Sequence, residues 1–275
     1  MNERIKTMII TATFNTRSLS IHATTITVVL PETNAVPENG WKTVTLLHGA
    51  GGNHADWTRF SSIERYANDR DIAVIMPDGG TSFYTDTESG ENYKTFITEE
   101  LPAFCHAHFN TSLRREDNFI GGLSMGGCGS VYLGLTCPEK YAGIMCLSAS
   151  NFVVEVFPLQ YADNPRPEWL KWMKNNFGDK FPNLTGSEYD HYYLAKKVIE
   201  EGKPAPRIFH TIGLQEQENS LQSAYKLKEC FESFEGDPFQ YTFKGYPGVH
   251  NWAYWDAHIE EALDYMGLTK VERHW

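Results

Sequence analysis

The sequence predicts an α/β protein, with a mostly parallel sheet covered by helices on both faces and entered through antiparallel strands. Three observations carry this. Short, nearly continuous apolar runs such as Ile72 to Met76 suit strands buried on both faces. Strand-like and helix-like segments alternate from Asn118 onward, the order that builds parallel sheets. The chain has 275 residues, 41% apolar and 21% charged, which is ordinary globular usage and enough for one large core.

Taken in order, Met8 to Phe14 and Ser20 to Leu30 are rich in Ile, Val and Thr, as half-buried strands are. After the loop PETNAVPENG, a third strand at Val44 to Leu47 runs into His48-Gly49-Ala50-Gly51-Gly52. Ser61 to Ala67 reads as a helix, and Ile72 to Met76 as a strand that stops at Pro77-Asp78-Gly79-Gly80. Asn92 to His108 places Phe96, Ile97, Leu101 and Phe104 at roughly helical spacing, with Pro102 set against its regularity. Strands then fall at Asn118 to Gly122, Gly143 to Ser148, Arg207 to Gly213 and Phe239 to Lys244. Helices fall at Met125 to Thr136, Leu221 to Phe234 and Trp252 to Met266. The stretch 151–206 breaks this rhythm and is rich in Pro, Asn and aromatic residues. It reads as a cap-like insertion over the active site within a single domain spanning 1–275.

Composition excludes several classes of function. The net charge of −11 repels nucleic acid and anionic lipid, which bind through basic patches. The five cysteines are odd in number, scattered and without a CxxC pair, so neither a disulfide framework nor a zinc site is expected. The N-terminal stretch has no secretory apolar core, and no window reaches the ~18 apolar residues of a membrane helix. A soluble, cytoplasmic protein is the expectation.

The chemistry centres on Gly122-Leu123-Ser124-Met125-Gly126, a GxSxG motif between a strand and a helix. A sharp turn there needs small flanking residues and lifts the serine hydroxyl above the sheet as a nucleophile. The N–H of Met125, at the start of the following helix, is placed to hold an oxyanion. The second donor is expected from the loop LLHGAGGNHADW, with Ala50 first and Gly51 second. A phosphate loop is excluded there, because neither GxxxxGK[ST] nor GxGxxG occurs. His48 and His54 read as structural rather than metal-binding.

A serine hydroxyl needs a base. His191 lies in the insertion, His210 in a strand, His258 in a helix and His274 at the chain end. His250 stands in the turn-rich GYPGVHNW after the last strand, which makes it the candidate base. The orienting acid is expected after the strand ending at Gly213, in Leu214-Gln215-Glu216-Gln217-Glu218-Asn219. No aspartate stands there. Glu216 is the first candidate, with Glu218 and Asp237 as alternatives.

Together, LLHGAGGNHADW, VIMPDGGTSFYTD, EELPAF, GLSMGG and GVHNWAYW resemble the esterase D family of α/β-hydrolases, and within it the bacterial tributyrin-type short-chain acyl esterases. The resemblance implies an α/β-hydrolase fold and serine carboxylesterase chemistry without metal or organic cofactor. It also implies nucleophile Ser124, base His250, oxyanion donors Met125 and Ala50, and pairing of subunits. The family usually carries an aspartate after the seventh strand, and Glu216 takes that place here.

The expected substrate is a small ester with an acetyl to butyryl group, an acylated sugar being one candidate. Trp57, Tyr84 and Trp252 are expected to contact it, with Phe83. Phe152, Phe157, Tyr161, Trp169, Trp172 and Phe177 of the insertion are further candidates. An acyltransferase using the same triad and an S-formylglutathione-type thioesterase are the alternatives. The acidic net charge does not encourage a site for an acidic thiol. A non-catalytic binding protein would be expected to lack Ser or His, and this chain keeps both.

Overall fold

The computed structural model describes residues 8–19, 23–32, 36–163 and 166–272. Eight strands form one sheet in the order β1-β2-β4-β3-β5-β6-β7-β8. They are β1 (Met8–Phe14), β2 (Thr24–Leu30), β3 (Thr43–Leu47), β4 (Ala73–Pro77), β5 (Asn118–Leu123), β6 (Gly143–Leu147), β7 (Arg207–Gly213) and β8 (Thr242–Tyr246). The pairs β1–β2 and β2–β4 are antiparallel, and every other pair is parallel. Residues of β3, β4 and β6 are all buried, which accounts for the apolar runs of β4 and β6, and Thr43 and Thr45 are the buried polar members of β3. The edge strand β1 alternates in exposure over most of its length, with Ile10, Ala12 and Phe14 half-buried and Thr11 and Thr13 exposed.

The helices are α1 (Asp56–Phe60), α2 (Ile63–Asp69), α3 (Tyr93–Thr95), α4 (Leu101–Phe109), α5 (Met125–Thr136), α6 (Phe152–Glu155), α7 (Phe157–Asp163), α8 (Pro167–Phe177), α9 (His191–Glu200), α10 (Glu218–Glu232) and α11 (Trp252–Tyr265). Two apolar clusters fill the two faces of the sheet. One unites Val131 and Leu135 of α5 with Leu101 of α4, Leu194 of α9 and Leu227 of α10. The other unites Ile63 of α2 with Trp255, Ile259 and Leu263 of α11. This is the α/β-hydrolase arrangement.

Register positions the site. Leu47 pairs with Gly122, and Leu123 with Leu147, so the carboxyl ends of β3, β5 and β6 stop at one edge. The chain leaves β3 toward β4 on one side and returns to β5 on the other. Such a switch point opens a crevice outside the carboxyl ends of the strands.

Several expectations change in detail. The eighth strand begins at Thr242 rather than Phe239, because Asp237 and Gln240 hold left-handed backbone (φ 45° and 41°) that an extended strand does not allow. The second strand begins at Thr24, and residues 20–22 lie outside the described residues, as does His274. The 92–108 helix is broken by a π-helical turn at Phe96–Glu100. Pro102 has no N–H to give the carbonyl of Thr98, four residues back, and Lys140 Nζ donates to that oxygen at 2.7 Å instead. The insertion, read from sequence without assigned elements, carries α6 to α9.

Candidate active site

The serine sits on the sharp turn between β5 and α5. Ser124 has φ 52° and ψ −120°, a conformation that costs a residue with a Cβ. The turn holds because its amide donates to Leu147 O at 2.9 Å and its carbonyl accepts from Cys128 N at 2.9 Å. Only glycine fits on either side. A Cβ at Gly122 would stand 2.8 Å from Leu47 O, and one at Gly126 would collide with the same carbonyl. Met125 is the first helical residue, and the first N–H groups of a helix have no partner within it.

The loop after β3 has its carbonyls pinned by buried side chains. Trp57 Nε1 donates to Leu47 O at 3.1 Å, and the Tyr84 hydroxyl donates to His48 O at 2.8 Å. The Gly79 amide donates to His48 Nε2 at 2.9 Å, which leaves the imidazole proton on Nδ1, where it points at Gly49 O, 2.7 Å away. Burial pushes the Tyr84 hydroxyl pKa well up, so it remains a donor. With its carbonyls turned into the protein, the loop presents Ala50 to the crevice, where it lines a cavity beside Ser124 and Met125.

The loops after β7 and β8 are tied together. Gln215 N donates to Gly248 O at 2.9 Å, and Gly248 N donates to Gln215 Oε1 at 2.5 Å. This brings Glu216 Oε2 to 2.7 Å from His250 Nδ1. The Glu216 side chain is 1% exposed, whereas that of His250 is 41% exposed and lines the same cavity as Ser124. Trp255 meets the imidazole edge-on at 5.0 Å between centroids.

The other titratable candidates stand elsewhere. Glu218 accepts from Gln222 within α10, and Asp237 accepts from the Tyr241 amide. His191 is buried with Nε2 3.8 Å from Cys128 Sγ, and His210 is buried between Tyr241 Oη and Ala149 O. Burial holds both imidazoles down to about 4 and pushes the Cys128 thiol up to about 12. His258 stacks on Tyr246 with 4.3 Å between centroids.

Two cavities flank Ser124. One, of about 260 Å³, is walled mainly by Phe83, Met125, Phe152, Val156, Phe157 and Trp172. The other is a cleft of about 350 Å³ lined by Gly49, Gly52, Asp56, Asn251, Trp252 and Trp255. Two of the expected substrate contacts are corrected here. Trp57 and Tyr84 are 1% and 0% exposed and line neither cavity, because their polar atoms are committed to the carbonyls of Leu47 and His48. Trp252 does line the cleft. Of the insertion aromatics, Phe152, Phe157 and Trp172 reach the first cavity. Phe177 is core, Trp169 packs edge-on against Phe157, and the Tyr161 side chain lies outside the described residues. Sequence reading missed Asp56 and Gln160. Nothing in their local pattern separates them from surface residues.

The family model described as "Putative esterase" matches residues 20–266. An acetyl esterase of Caldicellulosiruptor saccharolyticus is 29% identical over 235 residues, which is 84% of this chain and 85% of the relative. The solved structure of FphF, a fluorophosphonate-binding serine hydrolase of Staphylococcus aureus, superposes with a TM-score of 0.81 at 30% identity, covering 96% of this chain and 100% of the other. An S-formylglutathione hydrolase (FrmB) from Staphylococcus aureus gives 0.79 at 30% identity with the same coverage. Carrying the serine elbow on this sheet and matching the family over most of its length, the chain belongs to the esterase family and is a serine hydrolase of carboxylic esters.

Proposed function

We propose that the chain is a short-chain acyl esterase of the esterase D type, close in character to tributyrin esterases, working through Ser124, His250 and Glu216. The observation that carries this is the buried Glu216 carboxylate 2.7 Å from Nδ1 of an imidazole that shares a cavity with Ser124. Glu216 fixes the tautomer with the proton on Nδ1 and leaves Nε2 to take the serine proton. Ser124 attacks the ester carbonyl, and the N–H groups of Ala50 and Met125 hold the oxyanion. His250 then protonates the leaving alcohol. Water, deprotonated by the same imidazole, releases the acid from the acyl-enzyme. No metal or organic cofactor enters these steps.

The cavity of about 260 Å³ supports an acetyl to butyryl acyl group, since its aromatic walls suit a short apolar chain. Residues 151–206 act as a cap on this cavity within a single catalytic domain, and Phe152, Val156, Phe157 and Trp172 are its contribution to the wall. The cytoplasm and a homo-oligomer are the proposed setting, and among the described residues no helix is long and apolar enough to cross a membrane. The partner is a small ester, an acylated sugar among the candidates.

The test is turnover of p-nitrophenyl esters from acetate to octanoate, with Ser124→Ala beside the unaltered chain. The highest kcat/KM at acetate to butyrate, lost in the variant, is the expected result. Preference for octanoate overturns the short-chain reading. Turnover that survives Ser124→Ala overturns the nucleophile. Running the butyrate assay with added sugar or alcohol acceptors measures transfer against hydrolysis, and an acyltransferase would form mainly the new ester.

A further inference from the structure

The cleft on the open side of Ser124 contains a carboxylate, Asp56, that has no ion-pair partner among the described residues. Asp56 lines this cleft together with Ser124 and His250. Its side chain packs against Gly52 at the turn of the oxyanion loop, where a Cβ would collide with Asp56 Oδ2. Among the described residues it takes part in no ion pair, and no lysine or arginine lines the cleft. The basic groups closest to it in sequence are otherwise occupied, and His250, which shares the cleft, faces Glu216. Arg59, one turn along α1, lays its guanidinium over the Phe60 ring at 4.9 Å. His54 bonds Thr27 Oγ1 through Nδ1, and burial lowers its pKa. The remaining walls include Trp252 and Trp255, whose rings meet at 85° with centroids 5.3 Å apart. A half-buried carboxylate beside two indoles is the chemistry that attracts an organic cation, through Coulomb attraction and cation–π contact together. The net charge of −11 adds long-range attraction of the same sign.

The two cavities divide an ester between them. The apolar cavity under the insertion suits the acyl chain, and the polar cleft suits the alcohol, which leaves on the side of the imidazole that protonates it. We propose that the cleft over Asp56 is the leaving-group subsite, and that its carboxylate selects esters whose alcohol carries a positive charge while rejecting those whose alcohol is anionic. This rests on the esterase reading above. It runs against a glutathione-type leaving group, which brings carboxylates of its own into the cleft.

Three acetates with the same acyl group test it: 4-acetoxy-N,N,N-trimethylanilinium, phenyl acetate and 4-acetoxybenzoate. Each kcat/KM is divided by the hydroxide-catalysed rate of the same ester, which removes differences in leaving-group reactivity. The cationic ester should exceed the anionic one by at least about tenfold, the order expected of one partly screened charge pair. Asp56→Asn, which keeps the shape against Gly52, should lower that ratio by on the order of tenfold. Equal normalised rates in the unaltered chain overturn the proposal whether or not the variant folds, and so does a ratio unchanged in a folded Asp56→Asn. No turnover of any of the three overturns the esterase reading instead. Calorimetric binding of phenyltrimethylammonium, which needs no turnover, then decides the subsite. Binding weakened by Asp56→Asn supports it, and no binding to the unaltered chain overturns it.

Discussion

Glu216 divides its carboxylate between His250 and the backbone: Oε2 lies 2.7 Å from Nδ1 of the imidazole, and Oε1 accepts from the Gly213 amide at 3.3 Å. The second bond fixes the rotamer that aims the first. A side chain one methylene shorter cannot span both partners from the same backbone position, so Asp is not an equivalent substitute here.

That relationship separates three carboxylates. Glu216→Gln keeps the shape but removes the charge and permits the wrong imidazole tautomer, and kcat should fall by about 10²–10⁴-fold. Glu216→Asp should fall between the two. Glu218→Gln and Asp237→Asn should stay within about twofold of the unaltered chain, since each bonds only within its own segment. Steady-state kinetics on p-nitrophenyl acetate reads all four, and a loss at Glu218 comparable with that at Glu216 would move the acid.

Tyr84 anchors the loop after β3, which is proposed to hold the oxyanion, and lines neither cavity beside Ser124. Removing its hydroxyl in Tyr84→Phe leaves His48 O buried without that donor, at a cost of about 1–3 kcal/mol in stability. The loop carrying Ala50 then loses one of its three anchors. We expect kcat to drop by about tenfold or more, with KM little changed, because the oxyanion forms only after binding. An unchanged kcat in a destabilised variant would confine Tyr84 to folding.

The strain at Ser124 is measurable apart from catalysis. Alanine at this position keeps the Cβ that φ 52° disfavours, whereas glycine does not. Ser124→Gly should therefore unfold at a higher temperature than Ser124→Ala, by roughly 1 kcal/mol or more in stability, while both are inactive. Equal melting temperatures would mean that the strain relieved is no larger than the extra conformational entropy glycine loses on folding, about 1 kcal/mol.

What the sequence made legible was what local chemistry dictates. Glycines around Ser124 announce the turn because no larger residue fits beside Leu47 O, and a histidine in the loop after the last strand has few places to point. Glu216 was readable only as a candidate among three, since nothing along the chain reveals that Gln215 staples its loop to Gly248. Trp57 and Tyr84, expected from sequence as substrate contacts, are buried and line neither cavity, because aromatic residues near such a motif look alike in sequence whether they face a cavity or a carbonyl. The π-helical turn was foreshadowed by Pro102, but its rescue by Lys140, far along the chain, was not.

Acid stability tests the two buried imidazoles. His191 and His210 are held down to about 4 by burial, against about 6.5 in the unfolded chain. Above pH 6.5 neither state binds the extra protons, so the two residues contribute no pH dependence. Between pH 6.5 and 4 the unfolded chain binds them and the folded chain does not, so stability falls as pH falls, by up to about 3 kcal/mol for each residue. Below about pH 4 both states are protonated and the slope from these groups ends. His191 is the better probe, because its Nδ1 is buried without a hydrogen-bond partner among the described residues and its Nε2 makes only the 3.8 Å contact with Cys128 Sγ, whereas His210 is bonded through both nitrogens. Denaturant unfolding of His191→Gln at several pH values should show the slope of stability against pH reduced by about one proton between pH 6 and 4.5, with no change of slope above pH 7. Parallel curves for the variant and the unaltered chain would mean that His191 is already protonated in the folded protein.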